Sequence, residues 1–130
     1  MSSVEHIFRA YDIRGIFNKD LTVDVMARIG RALATYMPHK FAVGGDIRRS
    51  TPVLKSALIS GLLSAGADVV DVGTVPIGAA MYASKSLNAA MAYVTASHLP
   101  PEWNGLKIGR PGGAMVTSDD IKSISVSYTH

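Results

Sequence analysis

The chain has 130 residues, of which 48% are hydrophobic and 18% charged, and it contains no cysteine. These values predict one folded domain with its own core, and they exclude a disordered tail, a coiled coil, a disulfide framework and a zinc finger. The net charge is +3, but the basic residues are scattered, without the stripe or interleaved aromatics of a nucleic-acid binder. No segment reaches the ~20 apolar residues of a membrane span, and no signal-peptide pattern opens the sequence. We therefore expect a cytoplasmic protein that binds neither nucleic acid nor membranes.

The first half of the chain alternates helical and apolar patterns. Thr22 is a candidate N-cap for a first helix, whose apolar residues recur at helical spacing until Pro38 stops them. Residues 41–43 form a short apolar run closed by two glycines, which is typical of a buried strand that ends in a turn. A second helix is predicted to begin at Ser50 or Thr51.

The second half continues this alternation. Residues 69–72 are predicted to form a strand, and residues 77–86 an alanine-rich helix. Two further strand-like runs follow at residues 89–94 and 105–108. A last helix is predicted to begin at residues 117–118, where a hydroxyl side chain precedes two aspartates.

The order of these elements predicts βαβ units. The expected fold is a single three-layer α/β domain with a mixed, mostly parallel sheet and helices on both faces. The near-continuous apolar strands agree with this, because helices would then cover both sides of the sheet. Residues 123–130 are poor helix formers that follow a capped helix start. Either the last helix ends early, or the domain, taken as residues 1–130, is truncated at its C-terminal end.

Three blocks rich in polar residues and glycine lie in predicted loops, where an α/β sheet binds its ligands. The first, residues 8–15, holds Arg9, Tyr11 and Arg14. Arginine presents a planar fork of donors that matches phosphate oxygens, so this block suits an anionic ligand. The structural alternative is an N-terminal edge strand in which Arg9 pairs with Asp12, and composition alone favours that alternative.

The second block, residues 43–50, passes from a strand through two glycines into a helix start. Backbone amides at a helix N-terminus can hold an anion. However, no lysine follows the glycines as in a Walker motif, and the three spaced glycines of a dinucleotide site are absent. A strand-to-helix turn tied by Asp46 and Arg48 is the favoured interpretation.

The third block spans residues 95–108. Ser97 directly follows a predicted strand, so its hydroxyl is expected at the carboxyl edge of the sheet. A serine nucleophile needs a base for its proton and cations for the developing charge, and His98, Lys107 and Arg14 are candidates. The glycine–x–serine–x–glycine elbow of hydrolases is absent, which makes a serine hydrolase the weakest option. Taken alone, Ser97 is more simply a loop hydroxyl and His98 a loop-packing residue.

Taken together, the three blocks resemble the α-D-phosphohexomutase superfamily, the phosphomannomutases and phosphoglucomutases, in order and spacing. Residues 95–98 (Thr-Ala-Ser-His), followed by two prolines, Asn-Gly and Lys107, are similar to the phosphoserine loop of that family. Leu99 stands where the family usually has asparagine, and Gly45 where it often has arginine. The resemblance runs from about residue 8 to residue 121 and covers the first of the family's four domains.

The resemblance implies a phosphoryl transfer between C1 and C6 of a hexose phosphate, with a hexose 1,6-bisphosphate as intermediate and activator. Ser97 would carry the phosphoryl group, and its phosphate oxygen would bind Mg²⁺, whose carboxylate ligands lie outside this chain. Lys107 would act as general acid/base or charge-stabilising partner. Arg14 would orient the phosphoserine, and His98 and Tyr11 would line the same site.

The same resemblance leaves the role of the chain open. It is either the phosphoserine domain of a longer mutase, acting with the remaining mutase domains, or a catalytically inactive binding or scaffold module with the same fold. Alone it is expected to show no mutase turnover, because the metal loop and the sugar-selecting loop are missing. Apolar helix faces around Met26 or Leu62 are expected to be exposed and to favour a homo-oligomer.

Overall fold

The computed structural model describes residues 4–130. After a short 3₁₀ turn (Glu5–Ile7), this part of the chain forms β1 (Ile13–Ile16), α1 (Val23–Tyr36), β2 (Phe41–Gly45), α2 (Thr51–Ser64), β3 (Val69–Thr74), α3 (Ile77–Ser86), β4 (Ala90–Val94), β5 (Trp103–Gly109) and α4 (Ser118–Thr129). Across the described range, the helices are too short or too polar to cross a bilayer.

The five strands form one sheet in the order β1-β5-β4-β2-β3. Strand β2 runs parallel to both of its neighbours, β3 and β4. Strand β5 is antiparallel to β4 on one side and to β1 on the other. Since β5 alone runs against the other strands, the sheet is mixed and mostly parallel, as predicted.

The sheet has helices on both faces, and the alternation along β4 shows this directly. Ala92 and Val94 belong to the main core, into which α1, α2 and α4 also direct apolar side chains. Met91 and Tyr93 point the other way and pack with Ala80 of α3 in a second, smaller cluster. The predicted three-layer arrangement is therefore confirmed, and within residues 4–130 the second face carries α3.

Side-chain caps begin two of the helices where the sequence predicts them. The hydroxyl of Thr22 accepts the N–H of Val25 at 3.1 Å at the start of α1. At the start of α4, the Thr117 hydroxyl accepts the N–H of Asp120, and an Asp120 oxygen accepts the N–H of Thr117 at 2.8 Å. This reciprocal pair is a capping box, which satisfies two backbone donors that the helix itself leaves free.

Of the two alternatives for the last helix, an early end is wrong, because α4 continues to Thr129. Its inner side chains Ile121 and Ile124 are buried in the main core. Further along, the Tyr128 ring lies 5.3 Å from that of Phe8 and beneath the Arg28 guanidinium. Tertiary packing thus stabilises a helix that its residue propensities alone do not favour.

The expected exposure of α1 and α2 is also wrong, since Met26 and Leu62 are both completely buried. The two helices pack directly against each other, and glycines bring their backbones close. A Cβ placed on Gly30 would lie 2.5 Å from the carbonyl oxygen of Leu58, and one on Gly61 would overlap the carbonyl of Ala27. The helix faces around Met26 and Leu62 are therefore buried inside the domain.

Gly61→Ala is accordingly expected to lower the free energy of unfolding by about 3 kcal/mol, because the added methyl meets rigid backbone rather than a flexible side chain. Urea unfolding of the chain measures this. The matched control is Gly78→Ala in α3, where nothing lies within 4 Å of the new Cβ. The free energy of unfolding of that variant should rise by about 0.5 kcal/mol, because alanine has a higher helix propensity than glycine. Equal stability of the two variants would contradict the close helix packing.

Candidate active site

The candidate site lies where β4 ends, at the carboxyl edge of the sheet. The chain leaves β4 at Val94, passes through two buried residues, and exposes Ser97 in the loop that follows. The backbone of Ser97 is left-handed (φ 55°). Its N–H donates to the Thr95 hydroxyl at 3.0 Å. The sequence prediction of a serine at this edge is thus matched by the structure.

Arg14 reaches the serine from β1, which is 83 residues away along the chain. Its Nη2 donates to the Ser97 Oγ at 3.1 Å, and its Nη1 donates to the Thr95 carbonyl at 2.7 Å. Its Nε donates to the Asp12 carboxylate at 3.0 Å. Only 6% of Arg14 is exposed, so the guanidinium is fixed on three sides and directs one N–H edge at the serine hydroxyl.

The sheet register explains why this arginine fits here. Arg14 stands opposite Gly105 of β5. A Cβ on Gly105 would lie 3.0 Å from the Arg14 side chain and would overlap the backbone carbonyl of Ile13. The glycine therefore lets β1 and β5 approach closely and leaves room for the guanidinium over the sheet.

Lys107 lies two positions further along β5 than Gly105, so its side chain leaves the sheet on the same face as that of Arg14. The lysine is half-buried, and it forms no hydrogen bond or ion pair within the described part of the chain. Its strand partner is Tyr93, whose pKa is raised by burial and by the charge of Asp46. The tyrosine therefore stays neutral, and Lys107 contributes an uncommitted cation to this face.

His98 and Tyr11 are less closely tied to the serine. Both are exposed, Tyr11 to 70% of its surface. Neither side chain has a hydrogen-bond partner among residues 4–130. The structure thus brings Arg14 onto the Ser97 hydroxyl, whereas the His98 imidazole and the Tyr11 phenol are open to solvent.

The first block forms an edge strand, as its structural alternative predicted, but the predicted side-chain pair is wrong. Asp12 pairs with Arg14, at 2.9 Å, and not with Arg9. The Arg9 guanidinium instead lies over the Trp103 ring, 5.3 Å from its centroid. The aspartate therefore holds the arginine that reaches the serine, whereas Arg9 packs on an aromatic ring of β5.

Arg48 is a site residue that the sequence reasoning missed. The predicted tie to Asp46 is present, with Nε 3.4 Å from the carboxylate. Beyond that tie, the guanidinium donates to the carbonyls of Ser97 at 3.0 Å and Leu99 at 2.6 Å. Backbone carbonyls occur at every residue, so the sequence carries no signal for this contact.

The resemblance implies a magnesium ion at Ser97, and the donors of this chain do not complete a site for it. Residues 4–130 contain no group of three or more acidic or imidazole side chains that could hold a metal ion. The carboxylates beside the serine loop are already engaged, Asp12 by Arg14 and Asp46 by Arg48. Magnesium prefers several oxygen ligands, so the serine by itself does not fit it.

Fold and site together define an α/β/α domain that presents a serine beside a buried arginine at a sheet edge. Residues 5–130 match the family model described as phosphoglucomutase/phosphomannomutase, alpha/beta/alpha domain I. The chain therefore belongs to the phosphoglucomutase/phosphomannomutase family, as its first α/β/α domain.

Individual relatives agree with this assignment. A probable phosphoglucosamine mutase from Thermococcus kodakarensis is 44% identical over 114 residues, which cover 86% of this chain and 25% of that protein. A phosphomannomutase from Salmonella typhimurium is 40% identical over 114 residues, with 86% and 25% covered. The solved structure of a phosphoglucomutase/phosphomannomutase family protein from Burkholderia thailandensis gives a TM-score of 0.88 at 37% identity, covering 99% of this chain and 31% of that one. The chain thus spans about a quarter of the length of these curated relatives.

Proposed function

We propose that this chain is the phosphoserine-bearing domain of a phosphohexomutase and that Ser97 is the residue that carries the phosphoryl group. The observation that supports this most is the buried Arg14 guanidinium, 3.1 Å from the Ser97 Oγ. A phosphoserine carries about −1.5 to −2 charges at neutral pH. A fixed arginine fork, and the free Lys107 on the same face of the sheet, are the cations that such a group needs.

In the proposed reaction, phosphorylated Ser97 transfers its phosphoryl group to a hydroxyl of a hexose monophosphate. The bond from phosphorus to Oγ breaks as the bond from phosphorus to the sugar oxygen forms. The proton of the sugar hydroxyl is lost, and Oγ gains one. The hexose bisphosphate then reorients and returns its other phosphoryl group to Ser97, so that the sugar leaves with its phosphate moved between C1 and C6.

Two cations of this chain have separate tasks in that reaction. Arg14 holds Oγ and stabilises the negative charge that develops there, without reorganisation, because its three hydrogen bonds already fix it. Lys107 supplies the proton to Oγ or stabilises the charge on the phosphoryl oxygens. His98 and Tyr11, both solvent-exposed, would line the space that the hexose phosphate enters.

In this proposal, the chain contributes one ligand to a magnesium ion. A phosphate oxygen on Ser97 would be the ligand that this chain contributes, and the carboxylates would belong to the remaining mutase domains. The bound ion would supply charge neutralisation at the phosphoryl group. The roles of Arg14 and Lys107 described above do not depend on it.

The test joins the chain to the remaining part of the Salmonella typhimurium phosphomannomutase, in place of that relative's matching segment; we call the product the completed enzyme. The chain alone should give no turnover of mannose 1-phosphate with glucose 1,6-bisphosphate. The completed enzyme should turn over, and Ser97→Ala should reduce its rate at least about a thousandfold.

The matched control is Ser86→Ala, which changes an exposed serine at the end of α3. That variant should keep the activity of the completed enzyme. A folded completed enzyme without turnover, or one whose turnover survives Ser97→Ala, would contradict the proposed function.

A further inference from the structure

The serine loop is only partly held by its own backbone hydrogen bonds, which run from the Leu99 N–H to the Ala96 carbonyl and from the Trp103 N–H to the Pro100 carbonyl. Ser97 adopts a left-handed backbone conformation (φ 55°), which non-glycine residues occupy only when their surroundings impose it. Pro100 and Pro101 follow, and neither has an N–H to donate. Among residues 4–130, the carbonyls of Ser97 and Leu99 accept no backbone N–H, so their donors come from side chains elsewhere in the fold.

Arg48 provides those donors. Its Nη2 donates to the carbonyls of Ser97 at 3.0 Å and Leu99 at 2.6 Å. Its Nη1 donates to the carbonyls of Pro100 at 2.7 Å and Trp103 at 3.1 Å. One guanidinium thus spans the loop from the serine to the first residue of β5.

The guanidinium is itself fixed in place by Asp46. The Arg48 Nε lies 3.4 Å from Oδ2 of that carboxylate. One oxygen, Oδ1, accepts the backbone N–H of Arg48 at 3.1 Å and the Thr51 hydroxyl at 2.7 Å. The other accepts the Thr95 hydroxyl at 2.7 Å, and Thr95 in turn accepts the N–H of Ser97. Asp46 therefore holds the beginning of the loop directly and its remainder through Arg48.

We infer that Arg48 is a positioning residue: it fixes the loop so that the Ser97 hydroxyl stays within reach of Arg14. It acts through backbone carbonyls and does not contact the serine hydroxyl. This inference rests on the proposed function and names a residue outside the set that the sequence assigned to the site. A lysine cannot replace Arg48, because the guanidinium bonds four separate carbonyls with its planar fork of donors, and a single ammonium cannot reach all four.

The first measurement is NMR hydrogen exchange on the 130-residue chain. The amides of Leu99 and Trp103 are both hydrogen-bonded within the loop. Arg48→Ala should speed their exchange at least about tenfold while amides of α1 keep their rates, because the opening is local. Arg48→Lys should loosen the same two amides. Arg49→Ala, which removes the neighbouring exposed arginine, should leave them unchanged.

The second measurement is steady-state kinetics of the completed enzyme. Arg48→Ala should lower kcat about a hundredfold, because a small misplacement of a reacting group has an effect of this size. KM should change less than about threefold, since Arg48 does not touch the hexose phosphate in this proposal. A merely structural role would lower the melting temperature without this split between kcat and KM.

Unchanged exchange at Leu99 and Trp103 in Arg48→Ala would overturn the inference, and so would a loosened loop with unchanged kcat. If Arg48→Ala does not fold, Arg48→Lys carries both measurements, because it keeps the charge and the aliphatic stem. Failure of the proposed function gives a different result. The completed enzyme without any substitution would then acquire no phosphoryl group on Ser97, whatever the hydrogen-exchange rates of the loop amides.

Discussion

Replacing Arg14 by alanine is expected to lower kcat/KM of the completed enzyme about a hundredfold to a thousandfold, the usual effect of removing one fixed donor from a developing charge. Arg14→Lys should recover little of this loss. A lysine at the same position keeps the charge, but it cannot bond Asp12, the Thr95 carbonyl and the Ser97 hydroxyl together as the guanidinium does.

Anion binding to the chain gives an independent view of the same contact. Inorganic phosphate, titrated against the chain and followed by NMR at the Ser97 amide, should bind more weakly to Arg14→Ala and Lys107→Ala. Arg31→Ala, which removes an exposed arginine of α1, is the control and should bind as the parent chain does. Equal kinetics and equal phosphate binding in Arg14→Ala and Arg31→Ala would show that the buried guanidinium has no role at the serine.

A second large effect, on stability, is expected at Asp120, of which only 3% is exposed. One oxygen accepts the Tyr36 hydroxyl at 2.6 Å and an Arg110 N–H, and the other accepts the Thr117 N–H at 2.8 Å. Asp120→Asn should lower the free energy of unfolding by about 2 kcal/mol, less than for a fully buried ion pair because Arg110 is partly exposed.

The control for this change is Asp119→Asn, the same substitution at the preceding, exposed position of α4. This change should lower the free energy of unfolding by about 0.5 kcal/mol, because only the interaction of the Asp119 charge with the helix dipole is lost. Urea unfolding at pH 7 measures both. Equal losses would mean that the buried carboxylate network does not stabilise the junction between β5 and α4.

The pH dependence follows from the same network. Burial by itself would raise the pKa of Asp120, but hydrogen bonds from Arg110, Thr117 and Tyr36 outweigh it and hold the pKa well below its usual range. The stabilisation is therefore fully present above the unfolded-state pKa of about 4 and is lost as pH falls through the lower folded-state pKa. The stability difference between the parent chain and Asp120→Asn should shrink from pH 4 towards pH 2.

Local signals were enough to predict most of the fold. Helix α3 has the predicted bounds, because Pro76 precedes its first residue and the left-handed Asn88 follows its end. Strand β2 ends in two glycines, as its sequence indicates. Because strand ends set the position of a loop, the placement of Ser97 at the sheet edge also followed from the apolar run before it.

The remaining features depend on distant parts of the chain. Arg48 meets the serine loop about 50 residues further on, through carbonyls that every sequence contains. The burial of Met26 depends on how closely α1 approaches α2. Two glycines, one on each helix, permit that close approach, and they face the partner helix only in the folded structure. The length of α4 depends on packing of Ile124 and Tyr128, not on the propensities of its serines.

The most direct test of the account is to locate the phosphoryl group. The completed enzyme is incubated with glucose 1,6-bisphosphate, digested and analysed by mass spectrometry. We expect a single phosphate on Ser97 that disappears when excess mannose 1-phosphate is added, and none in Ser97→Ala. A phosphate on any other residue of an active completed enzyme, or turnover with Ser97 unmodified throughout, would contradict it.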